Sequence, residues 1–186
     1  MSLADSEHRY GTITKLLHWS IALLILLQYF WVYWKQYVLP QGSALGSFFI
    51  ASLHKPLGSV TLILAVCAIL WRCYNPKPAF PTHMPTWKRF AAKTTHKLLY
   101  LAILVMPTSG MLMTNTAGYG VNLFNLYTLP ALIAPNKNLS HLFYDIHEIS
   151  SYILLGLIIL HFLAAMEHYF IEKDNVLQRI LPYSHQ

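Results

Sequence analysis

Four long apolar stretches constrain the fold of this chain more than any other feature of its sequence. The first and last are long enough to cross a membrane, since a helix of about 20 residues spans roughly 30 Å of hydrocarbon. The other two do so once their flanking His, Ser, Thr and Lys residues join the helix. Because lipid offers the backbone no hydrogen-bond partner, each stretch should be an α-helix. The stretches are Leu16–Trp34, Leu57–Trp71, Leu98–Met113 and Ile146–Phe170.

The predicted fold class is therefore all-α, an integral membrane four-helix transmembrane bundle. We expect the spans at about 14–34, 53–72, 96–114 and 146–170. The composition agrees, since 55% of the 186 residues are hydrophobic and 11% are charged, against about 25% charged in soluble domains. The length suits one domain, expected as a single transmembrane domain over 1–186. The first stretch exceeds the core of a cleaved signal peptide, about 7–15 residues.

Basic residues are distributed unevenly between the loops. With four spans, both termini and the middle loop share one side, which carries ten of the 13 Lys and Arg residues. The positive-inside rule then predicts that both termini are cytoplasmic. No basic face exists apart from these membrane-flanking loops, so nucleic acid is not an expected partner. The ten residues are Arg9, Lys15, Arg72, Lys77, Lys88, Arg89, Lys93, Lys97, Lys173 and Arg179; the other side has Lys35, Lys55 and Lys137.

Neither cysteine is predicted to be bonded. Cys67 and Cys73 lie six residues apart on one predicted helix and point in different directions, so a disulfide is not expected. The sequence contains no C-x-x-C-H motif, which argues against covalently attached c-type haem.

Four of the ten histidines lie at or inside the predicted spans at matching depths. His147 and His161 are fourteen residues apart, about 40° short of four full helical turns, so they share one face about 21 Å apart. His54 begins the second span at the depth of His147. His18 lies near the start of the first span, at the depth of His161. The pattern predicts two His–His pairs, one near each membrane surface.

Two facing imidazoles in an apolar surrounding suit the two axial positions of a haem iron. A single transition metal usually gathers three or four ligands instead. For one histidine alone, a buried hydrogen-bonded side chain is the simpler interpretation. Four at matched depths favour a function, because ionisable residues inside membranes are functional candidates. The alternative of another class is a haem-free metal or proton transporter, which usually carries carboxylates in its spans; here Glu148 and Glu167 lie toward the ends of span 4.

Short motifs occur in order along nearly the whole chain. They touch all four spans and the tail, and their order and spacing resemble the bacterial cytochrome b561 family, four-helix di-haem quinone-linked cytochromes of the inner membrane. The motifs are RYGTITKLLHW at 9–19, LHKPLG at 53–58, LWRCYNPKP at 70–78, THKLLYL at 95–101, MPTSG at 106–110, the two histidines of span 4, and EHYFIEKDNVLQRI at 167–180.

The resemblance implies two non-covalent haems b. It implies that His18 and His161 ligate the haem on the cytoplasmic side, and that His54 and His147 ligate the periplasmic one. These histidines are the expected iron ligands, and no residue is assigned a catalytic role.

The resemblance also implies a quinone site near the inner haem. His96 and His168 resemble part of it; the alternative is that both simply lie in the headgroup zone. Arg72 and Lys97 are candidates to bind the inner-haem propionates by charge-assisted hydrogen bonds, or to act as positive-inside anchors.

The expected function is electron transfer between a periplasmic donor or acceptor and membrane ubiquinone. Some family members resemble superoxide oxidases, so a superoxide:ubiquinone oxidoreductase of the respiratory chain is one form of it. The alternative is a haem-bearing membrane anchor subunit of a partner oxidoreductase such as a hydrogenase. The expected partners are membrane lipid, quinone, and a periplasmic redox partner or superoxide. Four histidines in tails or loops receive no role: His8, His83, His141 and His185.

Overall fold

The computed structural model describes residues 2–124 and 126–182, so His185 lies outside the described residues. Five α-helices, two π-helical segments and two short strands follow one another. They are α1 (Thr12–Tyr37), α2 (Ala44–Phe48), the π-helical segment Phe49–His54, α3 (Lys55–Tyr74), α4 (Thr86–Thr116), β1 (Val121–Leu123), β2 (Tyr127–Leu129), α5 (Lys137–Glu167) and the π-helical segment His168–Glu172.

These elements form four helices long and apolar enough to cross a membrane: Thr12–Tyr37, Ala44–Tyr74, Thr86–Thr116 and Lys137–Glu172. The four-helix expectation is confirmed, and each predicted span lies within a longer helix. Each apolar stretch is shorter than the helix that contains it, because the polar residues on either side are also helical. The third and fourth helices begin at Thr86 and Lys137, well before the start of their apolar stretches.

The outward faces of the helices are apolar. Leu23, Ile63 and Leu163 expose 59%, 61% and 57% of their surface. Exposing apolar side chains to water costs free energy, whereas contact with the hydrocarbon of a membrane does not. The surface therefore fits a lipid-embedded protein.

A small apolar core lies at the depth between the two histidine pairs. Leu154, midway between His147 and His161, is fully buried, as is Ala65 of α3. Lipid tails are as apolar as these side chains, so close van der Waals packing, rather than escape from water, holds the helices here. The core residues are Ile21, Ile25, Ala65, Ala102, Ile103 and Leu154.

The helices pack in chain order. α1 packs against α3, α3 against α4, and α4 most extensively against α5. Within the described residues, α5 makes no comparable backbone approach to α1 or α3. The contacts between α5 and those two helices are therefore made mainly by side chains, including the histidines.

Both ends of the chain and the middle loop meet on one side of the bundle, called the terminal side below. Trp19 Nε1 donates to the Ile180 carbonyl at 2.9 Å. The Ala79 amide donates to the Glu7 carbonyl at 2.9 Å. This joint location agrees with an even number of spans.

A two-stranded hairpin covers the opposite side, called the hairpin side. β1 and β2 pair antiparallel, with Val121 opposite Leu129. Val121 is 1% exposed, and β1 packs against α3, α4 and the π-helical segment that ends at His54. A Cβ at Gly120 would lie 2.6 Å from the Leu129 carbonyl oxygen, so glycine permits this pairing. The sequence analysis did not predict the hairpin, because the loop is apolar throughout and lacks a clear alternation.

Candidate functional site

The hairpin-side pair brings together two histidines from different helices. The ring centres of His54 and His147 are 6.0 Å apart, with the rings nearly perpendicular. His54 is the last residue of a π-helical segment, a local widening that is frequent at functional sites. His147 projects from α5.

Two features of α4 hold the His147 ring. Its Nδ1 lies 2.7 Å from the Met106 carbonyl oxygen. A carbonyl only accepts, so Nδ1 carries the proton and Nε2 is left free for a metal. A Cβ at Gly110 would lie 2.9 Å from two atoms of this ring, so the missing side chain lets the imidazole lie against the helix backbone.

His54 has a different surrounding. Gln28 of α1, only 6% exposed, donates from Nε2 to the His54 carbonyl at 3.2 Å. Within the described residues, His54 Nδ1 and Gln28 Oε1 are both buried without a hydrogen-bond partner.

The terminal-side pair is His18 of α1 and His161 of α5, whose ring centres are 6.2 Å apart. A third imidazole adjoins them, since the His96 ring centre lies 5.2 Å from that of His161. His96 Nδ1 donates to the Ala92 carbonyl at 2.7 Å. This cluster of three rings was not predicted from sequence.

The spacing of both predicted pairs suits a metal between two imidazoles. A bond of about 2 Å on each side, plus about 1 Å from each nitrogen to its ring centre, places the centres about 6 Å apart. His18–His161 and His54–His147 match this value, and His96–His161 is closer. Within the part of the chain that the structure describes, no group of three or more His, Cys, Asp or Glu side chains is arranged to hold a metal ion. The donor set is thus two facing imidazoles, which fits haem.

His168 lies away from the ring cluster, in a network of charged groups on the terminal side. Its Nδ1 donates to Asp174 Oδ2 at 2.7 Å. His83 Nε2 lies 3.8 Å from the same oxygen. Lys88 of α4 joins the network, because its Nζ donates to Glu172 Oε1 at 2.5 Å. No direct contact between His96 and His168 is recorded among the described residues, so the structure does not join the two predicted quinone residues.

Arg72 and Lys97, the candidate propionate partners, lie in different surroundings. Arg72 Nη1 is 3.7 Å from Asp5 Oδ2, and its guanidinium lies over the Tyr10 ring at 5.6 Å. Among described residues, this Nη1 is buried without a hydrogen bond. Lys97 is exposed beside His96.

Four residues with a part in the site geometry were missed. Gln28 is a lone amide in an apolar span, and a polar residue in a membrane is a signal that could have identified it. Met106 and Gly110 were present in the MPTSG motif without an assigned role. Asp5 has no comparable signal, because its contact with Arg72 depends on the fold of the N-terminal segment.

Comparison with known proteins agrees with the resemblance. The family model described as prokaryotic cytochrome b561 matches residues 9–183. Cytochrome b561 homolog 2 of Escherichia coli (strain K12) is 28% identical over 183 residues, covering 97% of this chain and 95% of the relative. Cytochrome b561 homolog 1 of the same organism is 26% identical, covering 94% and 98%.

A third relative carries a more specific name. The probable superoxide oxidase CybB of Yersinia pestis is 26% identical over 179 residues, covering 94% of this chain and 96% of the relative. With a family match over nearly its full length and four helices able to span a membrane, the chain belongs to the prokaryotic cytochrome b561 family and is a multi-pass protein of the bacterial inner membrane.

Proposed function

We propose that this protein is a single-domain di-haem cytochrome b that carries electrons between the periplasmic face of the membrane and ubiquinone. The observation that carries the proposal is the pair of His–His separations, 6.0 and 6.2 Å, at opposite ends of the bundle. When bound, each haem iron takes up and releases one electron. His54 and His147 hold the haem on the hairpin side, and His18 and His161 hold the one on the terminal side.

The orientation in the membrane follows from charge. Ten of the 13 basic residues are predicted on the terminal side, so we assign that side to the cytoplasm. The hairpin side and its histidine pair then face the periplasm, where a water-borne donor arrives.

The chain's own residues determine how the irons are held. The Met106 carbonyl fixes the tautomer of His147 and leaves Nε2 as the ligand atom. The apolar core at the depth between the two pairs excludes water from the interior. Arg72 is the proposed partner of a propionate on the terminal side; in support, its Nη1 is buried without a hydrogen bond among the described residues and lies 3.7 Å from Asp5 Oδ2.

Ubiquinone is the proposed membrane substrate, with its headgroup near His96. Reduction of one quinone to quinol consumes two electrons and two protons. His96 is exposed beside the terminal-side pair with its Nδ1 bonded to the backbone, so Nε2 is the nitrogen that meets the headgroup. His168, bound to Asp174, belongs to the charged network that adjoins the cytoplasm and is proposed to supply protons.

Superoxide is the proposed donor, an extension supported by the name of the Yersinia pestis relative. Oxidation of two superoxide ions to dioxygen releases the two electrons that one quinone takes. Lys35 and Lys55 lie toward the hairpin side and provide positive charge that attracts the anion.

Haem content tests the ligand assignment. In the purified protein, reduced-minus-oxidised absorption spectra should show a low-spin b-type signal and two haems per chain. His54→Ala should remove one haem and leave the other, and His161→Ala should remove the opposite one. His141→Ala, an exposed histidine near the start of α5, is the matched control and should keep both. A chain without haem would support the transporter alternative.

Quinone reduction tests the substrate assignment. With haem content unchanged, His96→Gln and His168→Gln should each lower the rate of ubiquinone reduction by superoxide. Unaltered rates would argue against the quinone site. If the isolated protein is inactive with superoxide but co-purifies with a stoichiometric oxidoreductase, the anchor-subunit function is supported instead.

A further inference from the structure

Among the residues that the structure describes, two of the buried polar atoms without a hydrogen bond belong to residues that touch each other. They are Oε1 of Gln28 and Nδ1 of His54. The contact is the hydrogen bond from Gln28 Nε2 to the His54 carbonyl, 3.2 Å long. The amide of Gln28 therefore already lies beside His54, in the interior of the bundle.

The two unpartnered atoms are chemically complementary. An amide oxygen only accepts hydrogen bonds. When Nε2 of a histidine binds a metal, its Nδ1 carries a proton and donates. Buried polar groups in native proteins are almost always satisfied, directly or by an ordered water with two or more polar partners. Each of the two atoms would cost free energy if it stayed unpaired. One hydrogen bond between them, or one water bridging them, removes both costs.

We propose that Gln28 is a positioning residue for His54, accepting a hydrogen bond from its Nδ1–H directly or through one buried water. The inference rests on the proposed role of His54 as a haem ligand. Gln28 then does for His54 what the Met106 carbonyl does for His147. Both imidazoles of the hairpin-side pair are held in the tautomer that presents Nε2.

This hydrogen bond has an electronic consequence. Acceptance of the Nδ1 proton makes the imidazole a stronger donor to the iron. A stronger donor stabilises the oxidised iron more than the reduced iron, and so lowers the midpoint potential of that haem. Gln28 therefore sets the potential of the hairpin-side haem, at the point where the donor's electron enters.

Potentiometric titration of Gln28→Met tests the inference, since methionine keeps the shape of glutamine but lacks its amide. Both haems should be retained. The midpoint potential of the hairpin-side haem should shift upward, while that of the terminal-side haem stays at the wild-type value. Thr116→Val is the matched control: Thr116 is buried and its hydroxyl bonds within its own helix, to the Leu112 carbonyl. It should shift neither potential. Two haems with unchanged potentials in Gln28→Met would overturn the inference.

A wild-type structure that resolves ordered water decides the matter if Gln28→Met loses haem. We expect Gln28 Oε1 and His54 Nδ1 to be joined directly or through one water. A dry gap, or a different acceptor on Nδ1, overturns the inference. Failure of the proposed function is distinguishable: it would appear as wild-type protein without haem, or as His54→Ala that keeps both haems.

Discussion

At the scale of single residues, the lack of a side chain at Gly110 decides how closely the His147 ring can approach α4. Gly110 has no side chain where a Cβ would lie 2.9 Å from the His147 ring. The ring is also hydrogen-bonded to the Met106 carbonyl of the same helix, so it cannot move away from α4 without losing that bond. The position of the His147 ring thus depends on a glycine on a neighbouring helix.

Gly110→Ala should therefore reduce occupancy of the hairpin-side haem and leave the terminal-side haem in place. The added methyl group pushes the imidazole off the Met106 carbonyl and misaligns Nε2. Haem per chain, measured by absorption of the purified protein, reports the loss. Gly156→Ala is the control: a Cβ there meets nothing within 4 Å, and alanine is a better helix former by roughly 0.5–1 kcal/mol. Full haem content in Gly110→Ala would contradict the prediction.

At the scale of secondary structure elements, the β1–β2 hairpin is the part that covers the hairpin side of the bundle. β1 inserts Val121 among α3, α4 and the π-helical segment that carries His54. The tip of the hairpin remains open, with Leu126 89% exposed. The Val121 end of the hairpin therefore packs against the helices, and Leu126 at the other end is exposed.

Val121→Ala should lower the stability of the protein by about 2 kcal/mol, because two buried methyl groups leave a cavity. The thermal midpoint in detergent should fall, and the hairpin-side haem should be released first, since the hairpin packs on the segment of His54. Leu126→Ala removes a larger side chain from an exposed position and should change the midpoint little. Equal effects of the two variants would show that the hairpin does not pack as described.

At the scale of the whole molecule, the distribution of basic residues is the basis of the proposed orientation. The terminal side gathers the N-terminal segment, the middle loop and the tail, and with them most of the basic residues. Hydrogen bonds across these segments join them to one another on the terminal side of the bundle.

Thiol labelling with a membrane-impermeant maleimide tests this orientation. Cys73 is exposed, near the terminal-side end of α3. In spheroplasts it should stay unlabelled, whereas Leu126→Cys, introduced in a Cys67→Ser/Cys73→Ser background, should be labelled. After disruption of the membrane, Cys73 should react as well. The reverse pattern would place the termini in the periplasm.

Much of the architecture could be predicted because membranes simplify the problem. Each apolar stretch had one available conformation, and helical periodicity alone placed His147 and His161 on one face. The hairpin was missed because the uncharged loop between α4 and α5 has no such constraint. The crowding of His96 against His161 was missed because it depends on how α4 and α5 are rotated against each other.

The sequence by itself determined the four spans, their number of crossings and the depths of the four central histidines, because hydrocarbon thickness and helical rise are fixed quantities. Only the tertiary structure decided which atoms surround each imidazole. Met106, Gly110 and Gln28 reach the hairpin-side pair from α4 and α1, and such contacts depend on helix rotation and side-chain direction. Periodicity within one helix carries no information about the helix that packs against it.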